Sequence, residues 1–215
     1  ECNRSVSVEV SRSSHGGCKI MFDPNGGIGW HEPVIRTAAL GGVMGGAYPE
    51  PPQAPAYKTF DGWYSQKVGG VKWTENTPVP GAQGVTLYAH WADTRYYIAY
   101  DGNNYETGEM DNTPATCNQD DTLAKNKFTK TGYVLAGWNT RRDGKGAEYS
   151  EEAVVKNLVA ANAENGTVVT LYAHWIEIAK VKVSFNVNGG SAPDNRLAKE
   201  TKEVVYKKPS GDLPV

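Results

Sequence analysis

A seven-residue string occurs twice without change. Val85-Thr86-Leu87-Tyr88-Ala89-His90-Trp91 returns as Val169-Thr170-Leu171-Tyr172-Ala173-His174-Trp175. Identity over seven positions that include Trp, Tyr and His is not a chance event. The chain is therefore read as tandem units before any fold is considered. Two more markers keep the same order. Phe22-Asp23-Pro24-Asn25-Gly26-Gly27 matches Tyr100-Asp101-Gly102-Asn103-Asn104, and Asp61-Gly62-Trp63-Tyr64 matches Ala136-Gly137-Trp138-Asn139. The opening marker appears a third time as Phe185-Asn186-Val187-Asn188-Gly189-Gly190. The spacing between markers varies, as expected when markers are core strands and spacers are surface loops.

The pattern inside the markers is that of strands. In the closing string, Val85, Leu87, Ala89 and Trp91 share one face and Thr86, Tyr88 and His90 the other; the first set is the more apolar and is assigned to the core. Val169, Leu171, Ala173 and Trp175 follow suit. In the opening strand Ile20 pairs its face with Phe22, and Ile98 with Tyr100. The Asn-Gly-Gly that follows tolerates positive φ and suits a turn. Composition agrees: 21 Val, 16 Thr and 12 Tyr stand against 8 Leu and 6 Ile, and Gly contributes 24 of 215 residues. That balance favours pleated sheet over a helical bundle. One helix is expected, starting at the cap Ser150 with Glu151-Glu152, carrying Val154, Leu158 and Ala161 on one face and stopping at Gly166. The stretch Gly41 to Pro55 is too rich in Gly and Pro for regular structure.

The predicted plan is an N-terminal extension over 1–18, repeat 1 over 19–92, repeat 2 over 93–176 and a partial repeat 3 over 177–215. Short linkers, Ala92-Asp93-Thr94-Arg95 and Ile176-Glu177-Ile178-Ala179, would hold neighbours in an elongated, semi-rigid array. The start lacks both an initiating Met and a signal peptide, so the sequence reads as a piece of something longer. No apolar run is long enough for a spanning helix. Charge is nearly balanced, with 22 basic and 24 acidic residues, which excludes general electrostatic capture of nucleic acid or anionic lipid.

The ordered motifs FDPNGG, TFDGWYS and VTLYAHW, then YDGNN, TGYVLAGWNT and VTLYAHW, resemble the Listeria–Bacteroides repeat, the family of the internalin B-repeat. The resemblance implies an α+β, mostly β fold: tandem β-grasp-like (ubiquitin-like) modules, each a small mixed sheet with one short helix. It also implies a large bacterial surface or secreted protein, with the repeats setting a functional head away from the wall or membrane. Three departures stand out: Asn103-Asn104 replaces Asn-Gly-Gly, Ala56-Tyr57-Lys58-Thr59-Phe60 replaces Gly-Tyr-x-Phe, and repeat 1 carries the Gly/Pro insertion.

Candidate chemistry is sparse. His90 and His174 recur, but neither has a Cys, His or Asp neighbour at ligand spacing, so both read as solvent-facing strand residues and not metal ligands; His15 and His31 are isolated. Asp101 to Asn112, with Glu106, Glu109 and Asp111, does not follow the spaced-oxygen pattern of a calcium loop. Asp23 and Asn25 read as side-chain-to-backbone turn residues. Cys2, Cys18 and Cys117 share no metal spacing; they are either a Cys2–Cys18 bridge with Cys117 left over or three small thiols. No nucleophile elbow or phosphate loop occurs, and Asp120-Asp121 and Glu151-Glu152 read as solvated turn and helix-start residues. No catalytic residue, cofactor or metal is therefore assigned. A lysine–asparagine crosslink would need Lys, Asn and a buried acid in contact.

Phe22, Trp63, Trp91, Tyr100, Trp138 and Trp175 are expected in the core. Trp30 and Trp73 do not recur and are the candidate ligand contacts. The expected role is a non-catalytic spacer and presentation segment outside the cell, with no nucleic acid or membrane contact of its own and with neighbouring repeats as partners. The alternative is an adhesin that holds a host protein or glycan through the non-repeating part of repeat 1.

Overall fold

The computed structural model describes residues 17–81, 84–184 and 201–205, with the side chains of 180–184 and 201–205 left aside. Five strands build the first sheet: β1 (Cys18–Asp23), β2 (Val34–Ala38), β3 (Lys58–Tyr64), β4 (Lys72–Trp73) and β5 (Val85–Asp93). Their spatial order is β2-β1-β5-β3-β4. β1 runs antiparallel to β2 and parallel to β5, and β3 is antiparallel to both β4 and β5.

The next strands are β6 (Arg95–Asp101), β7 (Thr113–Thr116), β8 (Asp121–Thr122), β9 (Tyr133–Asn139), β10 (Glu148–Tyr149), β11 (Val154–Val155) and β12 (Thr167–Glu177). The second sheet runs β7-β6-β12-β9-β10. Substituting each strand by its counterpart reproduces the first sheet's order. The internal repetition of motifs is thus a repetition of topology. A final hairpin joins β13 (Lys180–Ser184) to β14 (Thr201–Val205) in antiparallel register. Neither of the expected linkers is free chain: Ala92-Asp93 still belongs to β5, Arg95 opens β6, and Ile176-Glu177 still belongs to β12.

The chain divides into two compact units. The first is centred on residues up to Arg95 and also takes in Thr116–Asn118 and Val159–Thr167. Backbone bonds hold those two pieces: Tyr57 N–H donates to Ala161 O (2.7 Å), Cys117 N–H to Thr94 O (2.9 Å) and Gly166 N–H to Arg95 O (2.8 Å). Its core gathers Cys18, Ile20, Phe22, Ala38, Met44, Trp63, Val79, Leu87 and Ala89. Phe22 meets Trp63 edge-on at 4.9 Å between centroids, a favoured aromatic geometry. The second unit buries Ile98, Tyr100, Leu123, Phe128, Trp138, Val155, Leu171 and Ala173.

The expected helix after Ser150 is absent, and the described residues are, as expected, mostly β. Among the described residues the only helical piece is a 3-10 turn at Gly45–Ala47. Glu152 and Asn157 adopt φ of 58° and 53°, left-handed values that interrupt any α-helix. Val154–Val155 pairs instead with Asp121–Thr122 as β11 with β8. Val155 and Val159 are buried from this irregular segment, whereas Val154 and Ala161 of the helical spacing are exposed.

The glycine of the Gly-Trp marker has a steric cause in repeat 2. A Cβ on Gly137 would lie 2.5 Å from the backbone oxygen of Tyr149 on the adjacent strand β10. Gly137→Ala is expected to destabilise the second unit by about 1–3 kcal/mol, the usual cost of overpacking. Urea unfolding followed by Trp fluorescence checks this, and an unchanged midpoint contradicts it.

Candidate functional site

The opening turn and the closing strand of each repeat converge with one loop, β3–β4 in repeat 1 and β9–β10 in repeat 2. In repeat 1 the Asp23 carboxylate accepts the Asn25 backbone N–H at 2.8 Å. That bond sets Asn25 at φ 44° and aims its amide across the fold. The amide donates to Ala89 O at 2.8 Å and to Lys67 O at 3.1 Å. The Trp91 indole N–H returns to Asn25 O at 3.1 Å. Repeat 2 does the same: Asp101 accepts Asn103 N–H (2.8 Å), and the Asn103 amide donates to Ala173 O (2.9 Å) and Arg142 O (3.1 Å). Trp175 donates to Gly102 O at 2.8 Å. Asp23 and Asp101 make the expected local turns, whereas Asn25 and Asn103 make long-range ties.

The expected core residues separate into two groups. Phe22, Trp63, Tyr100 and Trp138 are buried, while Trp91 and Trp175 are half-buried and keep their indole N–H on the turn. Trp30 and Trp73, the candidate ligand contacts, pack against the first core. Trp30 stacks on Trp63 with centroids 5.8 Å apart, and Trp73 is the register partner of Trp63 across β3 and β4. Tyr48 closes the same core, its hydroxyl donating to Thr74 O at 2.9 Å. Burial, helped by Glu75, pushes its pKa up to about 12.

The outward face is also repeated. Lys67 covers the ring of Tyr88 at 5.7 Å and Arg142 covers Tyr172 at 5.1 Å. His90 stacks on Tyr64 at 3.9 Å and lies 2.8 Å from Gln66 O. His174 pairs with Glu148 at 3.0 Å. Both histidines are half-buried and spent on protein partners; His31 is exposed, and His15 lies outside the described residues. The Tyr64 hydroxyl donates to Asp61 at 2.5 Å, which lowers the Asp61 pKa and raises that of Tyr64.

Among the described residues no group of three or more His, Cys, Asp and Glu is placed to hold a metal ion. In the Asp101–Asn112 loop, the Asp101 oxygens face Asn103 N–H and the Arg142 guanidinium, while Glu106 accepts the Thr131 hydroxyl at 2.6 Å. Cys18 and Cys117 are buried; Cys2, and with it the Cys2–Cys18 pairing, lies outside the described residues.

One cluster was invisible in the sequence. Lys58 Nζ and the Asn118 amide both donate to Asp93 Oδ1, at 2.8 and 2.5 Å. Lys, Asn and an acid are in contact, as a crosslink requires. The acid, however, keeps 28% of its side-chain surface, and hydrogen bonds from Lys58 and then Asn118 hold its pKa below the usual carboxylate value. Lys58 and Asn118 are both spent as hydrogen-bond donors to that carboxylate. The cluster works as a polar clasp.

A cleft of about 260 Å³ opens in the second unit. It is lined by Asn103, Asn104, Lys130, Tyr133, Asn139, Arg141, Arg142 and Asp143, with His174 and Trp175 at its end.

The model of the Listeria-Bacteroides repeat domain matches residues 19–90 and 96–174. Two of the relatives are from Evansella cellulosilytica. The "Putative Gly-rich membrane protein" is 35% identical over 62% of this chain and 15% of the relative. The "Putative membrane protein" is 32% identical over 73% of this chain and 22% of the relative. Internalin H of Listeria monocytogenes is 32% identical over 43% of this chain and 16% of its own length. The chain thus spans less than a quarter of each of these relatives. No solved structure matches.

Two outcomes follow. Asn25→Ala or Asn103→Ala leaves two carbonyls without their donor and is expected to cost about 2–4 kcal/mol, read as a lowered urea midpoint. The Asp93 carboxyl is depressed in the folded state, so its stabilisation is present above the ordinary value of 3.8 and fades as pH falls through the folded value. Asp93→Asn should flatten that part of the profile, measured by thermal melts between about pH 7 and 2.5.

Proposed function

Two copies of the repeat fill most of the chain, so it belongs to the Listeria-Bacteroides repeat family, and from that membership we propose that it is a non-catalytic spacer and presentation segment of a bacterial cell-surface or secreted protein. The observation that carries this reading is the use to which the non-repeating aromatics are put. Trp30 lays its face on Trp63 and Trp73 packs against the same core, which leaves them serving the fold of repeat 1. The repeated features serve the same end: Asn25, Asn103, Trp91 and Trp175 all make internal bonds. A chain whose distinctive side chains are consumed in holding each module together is suited to bearing load and distance.

The strand order β2-β1-β5-β3-β4, with β1 parallel to β5, supports a β-grasp-like module in which the usual helix is replaced by irregular chain. The printed names of the relatives, membrane proteins and an internalin, support placement at the bacterial surface. An adhesin role for repeat 1 draws on its exposed apolar side chains, Ile28, Ile35 and Val43. We rank it second, because these side chains are scattered over loop and edge strand.

Surface display tests the proposal. The chain is placed between a cell-wall anchor and an epitope tag, as zero, one or two copies. Antibody access, read by flow cytometry, should rise with copy number, and unrelated repeats of equal length should restore it. Access independent of copy number sinks the spacer reading.

A further inference from the structure

The two repeats differ most at one place on a shared backbone. Positions can be matched bond by bond. Lys67 and Arg142 accept the amides of Asn25 and Asn103, and Pro55 and Lys130 accept the N–H of Lys58 and Tyr133. Counting from the shared Gly-Trp pair, Tyr64 corresponds to Asn139 and Gln66 to Arg141. Counting from the turn asparagines, Gly26 corresponds to Asn104.

In repeat 1 the Tyr64 ring lies flat on His90, 3.9 Å between centroids and 10° from parallel. In repeat 2 the side chain at that position is short and turned inward. Asn139 is 1% exposed. Its amide donates to Gly144 O and Gly146 O, and its oxygen accepts Arg141 and Gly146 N–H. Among the described residues no aromatic ring stacks on His174, and the cleft of about 260 Å³ opens beside it.

Substitutions around the rim add donors. Where repeat 1 has Pro55, Gly26 and Gln66, repeat 2 has Lys130, Asn104 and Arg141. Arg141 pairs with Asp143, the one acid of the lining, and Arg142 pairs with Asp101. Both guanidiniums are largely exposed and carry more N–H groups than these pairs use. Lys130 is half-buried, 4.4 Å from the centroid of Tyr133. Among the described residues no carboxylate is within ion-pair distance of it. The cleft is below the ~300–1,000 Å³ of drug-sized sites, which suits a single small ring.

We propose that this cleft binds an acidic sugar residue, a pyranose carrying a carboxylate. Lys130 and the guanidinium edges of Arg141 and Arg142 take the carboxylate, planar fork to planar anion. The Asn104 amide takes a hydroxyl. Tyr133 and Trp175 supply the aromatic surface for the apolar face of the ring. The corresponding place in repeat 1 is plugged by Tyr64 and binds nothing. The inference is independent of the spacer role: it gives one repeat of the array a hold on an acidic polysaccharide.

The test is an NMR titration of the 15N-labelled chain with sodium glucuronate, glucose and inorganic phosphate at constant ionic strength. Saturable shifts are expected with glucuronate at 103–104, 130, 141–144 and 174–175, and not at 25–26, 66–69 or 90–91. Lys130→Ala should weaken binding about tenfold, the loss of one charge-assisted bond. Asn139→Tyr should abolish it by restoring the plug. Should that variant unfold, Lys130→Ala combined with Asn104→Gly provides the same reading, since glycine accepts the φ of 64° at that turn and is the residue that repeat 1 has there. Equal response to glucose, equal response to bare phosphate, matching shifts in both repeats, or no saturation with glucuronate each overturns the proposal.

Discussion

One side-chain amide closes each repeat. Asn25 and Asn103 each join three parts of the chain that are distant in sequence: the turn after the first strand of the repeat, the closing strand and the β3–β4 loop in repeat 1 or the β9–β10 loop in repeat 2. Both amide protons are used, and both acceptors are backbone carbonyls. The side chain must therefore offer two donors from a short stem. A carboxylate would face the two carbonyls without protons, and a longer amide would overreach the fixed turn. Asn also tolerates the positive φ that the turn demands. The preceding aspartates set that φ by accepting the Asn N–H. One short polar sequence thus performs a task that would otherwise need a hydrophobic contact, in modules small enough to have few of those to spare.

The unchanged closing string follows from that tie. Leu87 and Ala89, like Leu171 and Ala173, are buried, and the carbonyls of Ala89 and Ala173 receive the amide. Trp91 and Trp175 return a bond to the turn. The outward tyrosines carry a cation from the loop whose carbonyl is also held. Leu87, Tyr88, Ala89 and Trp91, with their counterparts in repeat 2, thus belong to a single connected arrangement spanning both faces of the strand, with Thr86 and Thr170 at half-exposed positions between them. A change at one of them would disturb partners on two other segments.

The strands and their repetition were legible because period-two alternation and repeated markers are local signals. Ile20, Phe22, Leu87 and Ala89 lie where alternation put them. The helix was misread because Val154, Leu158 and Ala161 satisfy helical spacing while Glu152 and Asn157 carry left-handed backbone angles that residue type alone does not announce. The Trp30–Trp63 stack and the Asp93 clasp join residues 25 to 35 positions apart, and nothing in local pattern reports such pairs. Asn25 was legible as a turn residue but not as a tie, since its two acceptors are featureless backbone carbonyls.

The same limit explains why the cleft of repeat 2 escaped a reading by motif. No single residue there is unusual; Lys, Arg and Asn on loops are ordinary surface residues. What distinguishes the place is a difference between two copies on one backbone. At the strand end after Gly-Trp, a tyrosine stacks outward on a histidine in one copy, and an asparagine folds inward to brace its own hairpin in the other. The inward turn empties the space and also rigidifies the loop bearing Arg141 and Arg142, because the Asn139 oxygen holds the backbone N–H of Arg141 itself. The substitution that opens the cleft therefore also orders its cations. A tandem repeat can diversify in this way without touching the Asn tie, since the tie uses the carbonyl of the loop residue and leaves its side chain unconstrained.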